Sequence, residues 1–201
     1  ELRIGWDLLI DIDSKEFEYS RIVGALVVDA LKFHGIENIS KKFSGNHGFH
    51  IGVCFESFPK QVNNIPIKDF FPDGVRIVAN YLKEMIREFV VSEILKKNSF
   101  EEIVAHSGKK KEDLLDKKGL FDPYKLVDID SVLISSRHMF RGPYSINEKS
   151  GLVSIPTEDI RSFNREDAKI ENVKFSKKFL DRELAIPGEA SHLLIQALDW
   201  Y

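Results

Sequence analysis

Apolar residues along the chain follow first the spacing of a strand and then that of a helix. A continuous apolar run over residues 5–13 predicts a buried strand. Apolar positions at helical spacing predict a helix over residues 20–34, ended by Gly35, and a longer one from 75 to about 97. Between them, residues 36–43 and 49–55 predict two strands joined by a glycine-containing turn. The first half is therefore expected to run β-α-β-turn-β before the long helix.

The second half of the chain carries weaker patterns. Residues 56–74 hold three prolines and predict a long loop. Residues 98–120 are polar and rich in lysine, and we interpret them as a solvated helical connection in preference to a phosphate-binding patch. The remaining predicted elements are a strand over 124–134, a turn over 147–151, a short strand over 152–155 and modest helices ending with one over 189–199. Together these patterns predict an α/β (α+β) fold, a mixed β-sheet core flanked by helices.

The composition allows one globular domain, alone or with a small lobe, and limits its chemistry. The 201 residues are 43% hydrophobic and carry a formal net charge of -3, so a basic footprint for nucleic acid must be local. The single cysteine, Cys54, excludes an internal disulfide and a cysteine-rich zinc site, and fits a reducing compartment. The sequence contains no bilayer-spanning run and no signal-peptide pattern. Because Glu1 is not an initiator Met, we expect a piece of a longer protein.

Two acid pairs stand at strand positions. Asp11 and Asp13 are two residues apart on the first predicted strand, so both carboxylates point to one face. Like charges this close are unfavourable without a cation, and Mg²⁺ or Mn²⁺ prefers such oxygen ligands. The same spacing suits a strand end that turns polar, with Asp as a turn former. Asp128 and Asp130 repeat the pattern on a later strand.

Two further segments are richer in polar side chains than a core requires. Residues 44–50, Ser-Gly-Asn-His-Gly-Phe-His, could bring backbone N–H groups, a hydroxyl and His50 to a bound oxyanion, or could form a plain hairpin. Residues 137–151 contribute Arg137, Arg141 and Lys149, cations that suit a polyphosphate. Acid pairs, a phosphate turn and basic residues together indicate a nucleoside triphosphate held by two metal ions.

These three segments, in this order, resemble the motifs of the catalytic small subunit of the archaeo-eukaryotic DNA primases, of the primase-polymerase superfamily. Residues 7–13 are similar to the first motif, an apolar strand ending in Asp-x-Asp, and residues 43–50 to the second, Ser-Gly-x-x-Gly-x-His. Residues 137–156 resemble the third motif region and its tail. The resemblance spans residues 1–160 and implies a catalytic core there, with a helical, lysine-rich insertion near 75–120. Residues 161–201 would then be a C-terminal helical extension of the same domain.

The resemblance also implies a role for each matching residue. Asp11, Asp13 and either Asp128 or Asp130 would bind two Mg²⁺ or Mn²⁺ ions and be catalytic. The implied nucleotide-binding residues are Ser44, Gly45, Asn46, His47, Gly48, His50, Arg137, Arg141, Asn147 and Lys149. This sequence departs from the family pattern in three places. Some relatives have arginines at the positions of residues 46 and 47 and a histidine at that of residue 147. Many relatives carry a zinc module where residues 98–120 stand, and relatives have a sizeable segment before the first motif. No structural zinc is expected.

The function implied by the resemblance is DNA-templated synthesis of short RNA primers for replication. The implied partners are nucleoside triphosphates, a single-stranded DNA template with its nascent primer, and a primase large subunit that is separate or fused. The implied setting is cytoplasmic, in the nucleoid-associated replication machinery of an archaeon, with no membrane contact. Two alternatives remain open: a related primase-polymerase that extends or repairs ends, and a non-catalytic subunit that binds single-stranded nucleic acid.

Overall fold

A computed structural model describes residues 2–130 and 139–201. In chain order its strands and α-helices are β1 (Leu8–Ser14), α1 (Phe17–Phe33), β2 (Ser40–Phe43), β3 (Phe49–Val53), β4 (Gln61–Val62), β5 (Ile65–Pro66), α2 (Asp73–Lys97), α3 (Phe100–Ser107), β6 (Val127–Asp130) and α4 (Ser191–Trp200). The predicted order β-α-β-turn-β followed by a long helix is confirmed. No helix in these residues is long and apolar enough to cross a membrane.

Four strands form the central sheet in the order β2-β3-β1-β6. The predicted α/β class is confirmed, but the described strand pairs are all antiparallel instead of mixed. Strand β1 is an interior strand, paired with β3 on one side and β6 on the other, and its residues alternate between two environments. Leu8, Ile10 and Ile12 are fully buried on one face, and Asp11 and Asp13 lie on the other.

The helices pack on the buried face of the sheet. Helix α1 contacts β1, β3 and β6, while α2 packs against α1 and α4 packs against α2. Gly35 ends α1 with a positive φ of 85°, and the N–H of Ile36 donates to the carbonyl of Leu31, as expected for a Schellman cap. On the opposite face, which we call the open face, the half near Gly52 is covered by the side chains of Phe179 and Leu180. The half of the open face near Asp13 carries polar side chains.

Several elements differ from the sequence-based expectation in extent. Residues 61–66 form a two-stranded hairpin inside the predicted loop. Within the predicted strand over 152–155, Val153 forms an isolated bridge to Ile146, and the bridge to β2 is made by the next residue, Pro156, with Lys42. No continuous strand forms there because the backbone bonds of residues 153–155 go to three different segments, at Ala168, Ser145 and Phe43. Of the predicted strand over 124–134, residues 127–130 are a strand and residues 131–134 lie outside the described part. In the predicted helical extension, 161–201, only Ser191–Trp200 is α-helical and the rest is short 3₁₀ turns and loop.

The lysine-rich stretch folds as expected for a helical connection. Helix α3 begins with a capping box in which the Ser99 side chain accepts from the N–H of Glu102 and the Glu102 carboxylate accepts from the N–H of Ser99. Gly108, in the left-handed conformation, ends the helix. Ile103 and Leu114 anchor the stretch in the core, and the lysines between and beyond them are exposed.

Candidate functional site

The four predicted acids come together on one face of the sheet because of strand register. In the antiparallel pairing of β1 with β6, Asp11 lies directly opposite Asp130 and Asp13 lies opposite Asp128. Directly opposed residues of an antiparallel pair point to the same face, with Cβ atoms about 5 Å apart. The structure therefore brings the two acid pairs into one group of four carboxylates on the open face.

This grouping has an electrostatic cost that is visible at Asp13. Loss of solvent around its carboxylate raises the pKa of Asp13 above the ordinary value, and the neighbouring charges of Asp11 and Asp128 raise it further. The nearby His47 acts in the opposite direction. A divalent cation would remove this repulsion, and carboxylate oxygens are the ligands that Mg²⁺ and Mn²⁺ prefer. The donor chemistry thus fits such an ion, although no three acidic, histidine or cysteine side chains of the described residues already converge into a metal site.

His50 continues the row of polar side chains from β1 to β3. It is paired in register with Asp11, and its Nε2 lies 3.3 Å from a carboxylate oxygen of Asp11. The side chain is almost fully buried, the ring of Phe140 packs edge-on against it, and its Nδ1 has no hydrogen-bond partner among the described atoms. His50 therefore retains a buried polar atom that a ligand could engage.

Lys42 ends the same row on β2 and was not among the predicted site residues. It pairs in register with His50, and its side chain is fully buried. Its Nζ donates to the Ser154 hydroxyl at 2.8 Å, and that hydroxyl donates to the carbonyl of Phe43 at 2.8 Å. The Nζ also lies 5.4 Å from the centre of the Phe179 ring. Lys42 thus ties the chain around Ser154 to the edge strand of the site.

Burial dominates the electrostatics of Lys42. Loss of solvent lowers the pKa of Lys42 to about 7, the carboxylate of Asp11 opposes this effect, and the Arg141 guanidinium adds to it. Sequence reasoning missed this residue because a lysine in a strand pattern is usually a solvated position. A usable signal was present: in a hairpin closed by residues 44–48, the face of His50 is also the face of Lys42.

The turn at 44–48 is built from its own side chain and from contact with β1. The Ser44 hydroxyl oxygen accepts from the N–H groups of Asn46 and Gly48, at 3.4 and 3.2 Å. A Cβ on Gly48 would stand 1.9 Å from the carbonyl oxygen of Ile12, so only glycine allows the turn to lie this close to β1. The glycine at 48 is therefore required by packing, and two of the N–H groups predicted to meet an oxyanion are already bonded to Ser44.

Residues 139–154 form the opposite wall of the site. The Arg141 guanidinium donates to the Ile146 carbonyl at 2.8 Å and to the Glu148 carboxylate at 3.0 Å. Asn147 is buried, and its side-chain oxygen accepts from the N–H groups of Lys149 and Ser150, which closes the predicted turn. The two walls are joined where the Ser150 hydroxyl donates to the carbonyl of Gly45.

Between these walls lies an open cavity of about 600 Å³. Seven of the predicted residues line it, namely Asp11, Asp13, Ser44, Asn46, His50, Arg141 and Asn147. Six others do not line it: Gly45, His47 and Gly48 belong to the turn behind it, Lys149 is exposed beyond it, and Asp128 and Asp130 flank it on β6. Arg137 lies outside the described residues. Carboxylates line one side of the cavity, and an arginine and hydrogen-bond donors line the other.

The fold and the site together define a class: an α/β protein whose open sheet face carries paired carboxylates next to a cavity lined by cationic and hydroxyl groups. The family is settled by comparison of the sequence with known proteins. The profile of the DNA primase small subunit family matches residues 10–159, about three quarters of the chain. This chain belongs to that family.

The chain shares limited sequence identity with two relatives. The chain is 29% identical over 191 residues to the DNA primase small subunit PriS of Pyrobaculum calidifontis, an alignment that covers 84% of this chain and 57% of that protein. It is 33% identical over 86 residues to an uncharacterized protein of Methanocaldococcus jannaschii, covering 42% of this chain and 19% of that protein. The chain thus spans little more than half the length of PriS and a fifth of the other relative.

Proposed function

We propose that this protein synthesises short RNA primers on single-stranded DNA by nucleotidyl transfer, as the catalytic part of a DNA primase. Membership of the DNA primase small subunit family supports the primase role. The single observation that carries the proposal for this chain is the register that sets Asp11 opposite Asp130 and Asp13 opposite Asp128, beside the cavity lined by Ser44, His50 and Arg141. The acids thereby lie next to the groups proposed to bind phosphate, around one cavity on the open face of the sheet.

In the proposed reaction, the oxygen of a 3′-hydroxyl forms a bond to the α-phosphorus of the incoming nucleotide. The bond from that phosphorus to pyrophosphate breaks, and the hydroxyl proton passes to solvent. Asp11, Asp13 and Asp128 or Asp130 would hold two divalent ions, which when bound supply charge neutralisation and activation of the attacking oxygen. The carboxylates of this chain fix where that charge is placed, because they stand on two neighbouring strands whose register is set.

The triphosphate is proposed to lie along the cavity wall formed by the 44–50 turn and Arg141. Arg141 supplies a planar pair of donors that suits phosphate oxygens. Ser44 keeps its hydroxyl proton available, since within the described residues this hydroxyl bonds through its oxygen as an acceptor. His50 keeps an unpartnered Nδ1 at the floor of the cavity, again among the described atoms. These groups would act by positioning and by charge, which supply most of the rate in phosphoryl transfer.

The proposal extends to the arrangement of the chain and its partners. We assign the catalytic core to residues 1–160 and a supporting extension to residues 161–201, whose α4 packs against α2. A large subunit, separate or fused, is the proposed protein partner in the replication machinery. Support comes from the family and from apolar side chains that α4 leaves exposed, Ile195 at 45% and Trp200 at 48%.

The test is primer synthesis without an added primer, on single-stranded DNA with labelled ribonucleotides and Mg²⁺ or Mn²⁺. The variant Asp11→Asn/Asp13→Asn is compared with a matched control, Glu88→Gln/Asp199→Asn, which removes two exposed carboxylates from α2 and α4. We expect products from the wild type and the control and none from the site variant. Products from the site variant at the wild-type rate would refute the acid assignment.

The same experiment separates the alternatives. Extension of a supplied primer without any synthesis from single nucleotides would favour an end-extending primase-polymerase. Binding of single-stranded DNA that is unaffected by metal, with no transfer in either assay, would favour a non-catalytic subunit. Either result would replace the primase proposal.

A further inference from the structure

A hairpin over residues 144–154 carries part of the cavity wall and is closed at its base by Ser154. The N–H of Tyr144 donates to the carbonyl of Ser154 at 2.6 Å, and the N–H of Ser154 donates to the carbonyl of Ser145 at 2.9 Å. Ser145 and Asn147, both on this hairpin, line the cavity. The position of Ser154 therefore fixes where this part of the wall stands.

Within the described residues, the side chain that holds Ser154 against the sheet is that of Lys42. The buried Ser154 hydroxyl accepts from the Lys42 Nζ and donates to the carbonyl of Phe43, both at 2.8 Å. A backbone bond to β2 fastens the next residue of the chain, because the N–H of Phe43 donates to the carbonyl of Ile155 at 2.9 Å. Lys42 adds to this bond a contact with Ser154 itself, at the base of the hairpin.

Lys42 also stands in register with a residue on the floor of the cavity. It lies directly opposite His50 in the pairing of β2 with β3, so both side chains point to the open face. His50 lines the cavity, and the ring of Phe140, at the start of the opposite wall, packs edge-on against it. The wall is therefore seated on the β2–β3 pair by Phe140 on His50 and by Ser154 on Lys42.

Burial of the Lys42 amine is unfavourable for the fold. Its side chain is fully buried, and its hydrogen bond within the described residues goes to a neutral hydroxyl, that of Ser154. Loss of solvent lowers the pKa of Lys42 to about 7. An apolar side chain of similar volume would fill the same space without this cost. An unfavourable buried group beside a ligand cavity is expected where the function requires it.

The position of the wall matters for the proposed reaction. Arg141 on the wall, and Ser44 and His50 on the other side, are proposed to hold one triphosphate, so the gap between them must match its length. Such groups have to be held within about 0.5 Å of the geometry that reacts. A misplacement of about 1 Å can reduce the rate by about 100-fold. A side chain that sets this gap therefore affects how well the nucleotide is bound and oriented.

We propose that Lys42 is a positioning residue for the incoming nucleotide: through Ser154 it sets the gap between His50 and the wall that carries Arg141. Lys42 acts through these groups and does not touch the triphosphate, because it is fully buried and does not line the cavity. This inference rests on the proposed function for the identity of the ligand. The contact of Lys42 with the hairpin does not depend on that function, so the two can be tested separately.

The first test compares Lys42→Met with the control Lys41→Met, which changes the neighbouring, half-buried lysine on the opposite face of β2. Extension of a supplied primer gives kcat and KM for the ribonucleoside triphosphates and KM for the primer–template. In Lys42→Met, kcat/KM for the nucleotide should fall by about 10-fold or more, and KM for the primer–template should stay unchanged. The same variant should unfold at a higher urea concentration than the wild type, so a folding defect cannot account for the loss.

Unchanged kinetics for the nucleotide in Lys42→Met, or an equal loss in Lys41→Met, would overturn the proposal. The path through Ser154 is tested by a double-mutant cycle. Ser154→Ala removes the acceptor and should reproduce the loss, and the double variant should lose no more than the more severe single variant, because both changes break one bond. Losses that multiply would show that the two residues act independently and would contradict the proposed path.

The second test needs no catalysis. Hydrogen exchange of the ligand-free protein reports on the N–H groups of Tyr144 and Ser154, which bond across the base of the hairpin. Exchange at both should be about 10-fold faster in Lys42→Met than in the wild type, whereas the N–H groups of β1 should exchange no faster. Unchanged exchange at the hairpin would overturn the proposal. A wild type that transfers no nucleotide would refute the proposed function, and this measurement would still decide whether Lys42 holds the wall.

Discussion

Replacement of Lys42 by methionine should stabilise the protein in the absence of ligand. Methionine is close in volume and keeps the apolar contacts, including that with Phe179, but it removes a charge buried beneath the site. A pKa lowered from 10.5 to about 7 means that the folded state resists protonation of this amine. At about 1.4 kcal/mol per pKa unit, the shift corresponds to a cost of about 5 kcal/mol at acidic pH. Loss of the hydrogen bond to Ser154 offsets about 1 kcal/mol of the gain.

The expected net gain from Lys42→Met is therefore about 2 to 4 kcal/mol near pH 7, and it should depend on pH with a definite sign. Above pH 7 the folded protein has released the proton from Lys42, whereas the unfolded chain holds it until about pH 10.5. The unfolded state then binds more protons, so the wild type gains stability as the pH rises. The advantage of the variant should shrink by about 2 kcal/mol between pH 7 and pH 9.

Urea unfolding of both proteins across that pH range measures the difference directly, because groups common to both cancel. Ser154→Ala serves as the matched control, since it removes the acceptor and leaves the amine. It should destabilise the protein at every pH. A difference between wild type and Lys42→Met that does not change with pH, or that grows as the pH rises, would refute the reasoning.

Two further predictions concern the acids and the turn. Asp11→Asn should lower the pKa of Asp13 toward its ordinary value, because a like charge is removed. Carbon NMR of the Asp13 side-chain carboxyl in metal-free protein would measure this pKa. An unchanged value would contradict the coupling between the two acids. Gly48→Ala should lower the free energy of unfolding in urea by about 3 kcal/mol or more, because the new Cβ would overlap the Ile12 carbonyl. Gly108→Ala should lower it by about 1 to 2 kcal/mol, because the space around Gly108 is open and only its φ of 66° is unfavourable for alanine. Equal losses of stability at the two glycines would contradict the contact.

The elements that the sequence predicted best are those with one strong period. The alternation in β1 and the apolar stripe of α1 each follow from a single buried face, and the acid pairs follow from the same alternation. The alternation predicts that the two acids of each pair point to the same face of their strand. It does not predict which acids lie opposite each other, because the pairing of β1 with β6 joins residues more than 100 positions apart.

What could not be predicted depends on tertiary contact. The burial of Lys42 requires the chain around Ser154 and Phe179 to cover it, and nothing near residue 42 in the sequence signals that cover. The same applies to Gly48, whose motif position suggested phosphate contact and whose close neighbour is the backbone of β1.

The pairing of Asp11 with Asp130 and of Asp13 with Asp128 also bears on how the chain reaches a working state. A slip of one residue between β1 and β6 would exchange the faces, so that carboxylates would enter the apolar layer and Ile129 would face solvent. Burying unpaired carboxylates costs several kcal/mol each, so the slipped form is strongly disfavoured. The apolar side of the sheet thereby selects the register of its polar side. In a refolded preparation, the fraction of molecules with all four carboxylates on the open face should therefore equal the fraction that has formed the core.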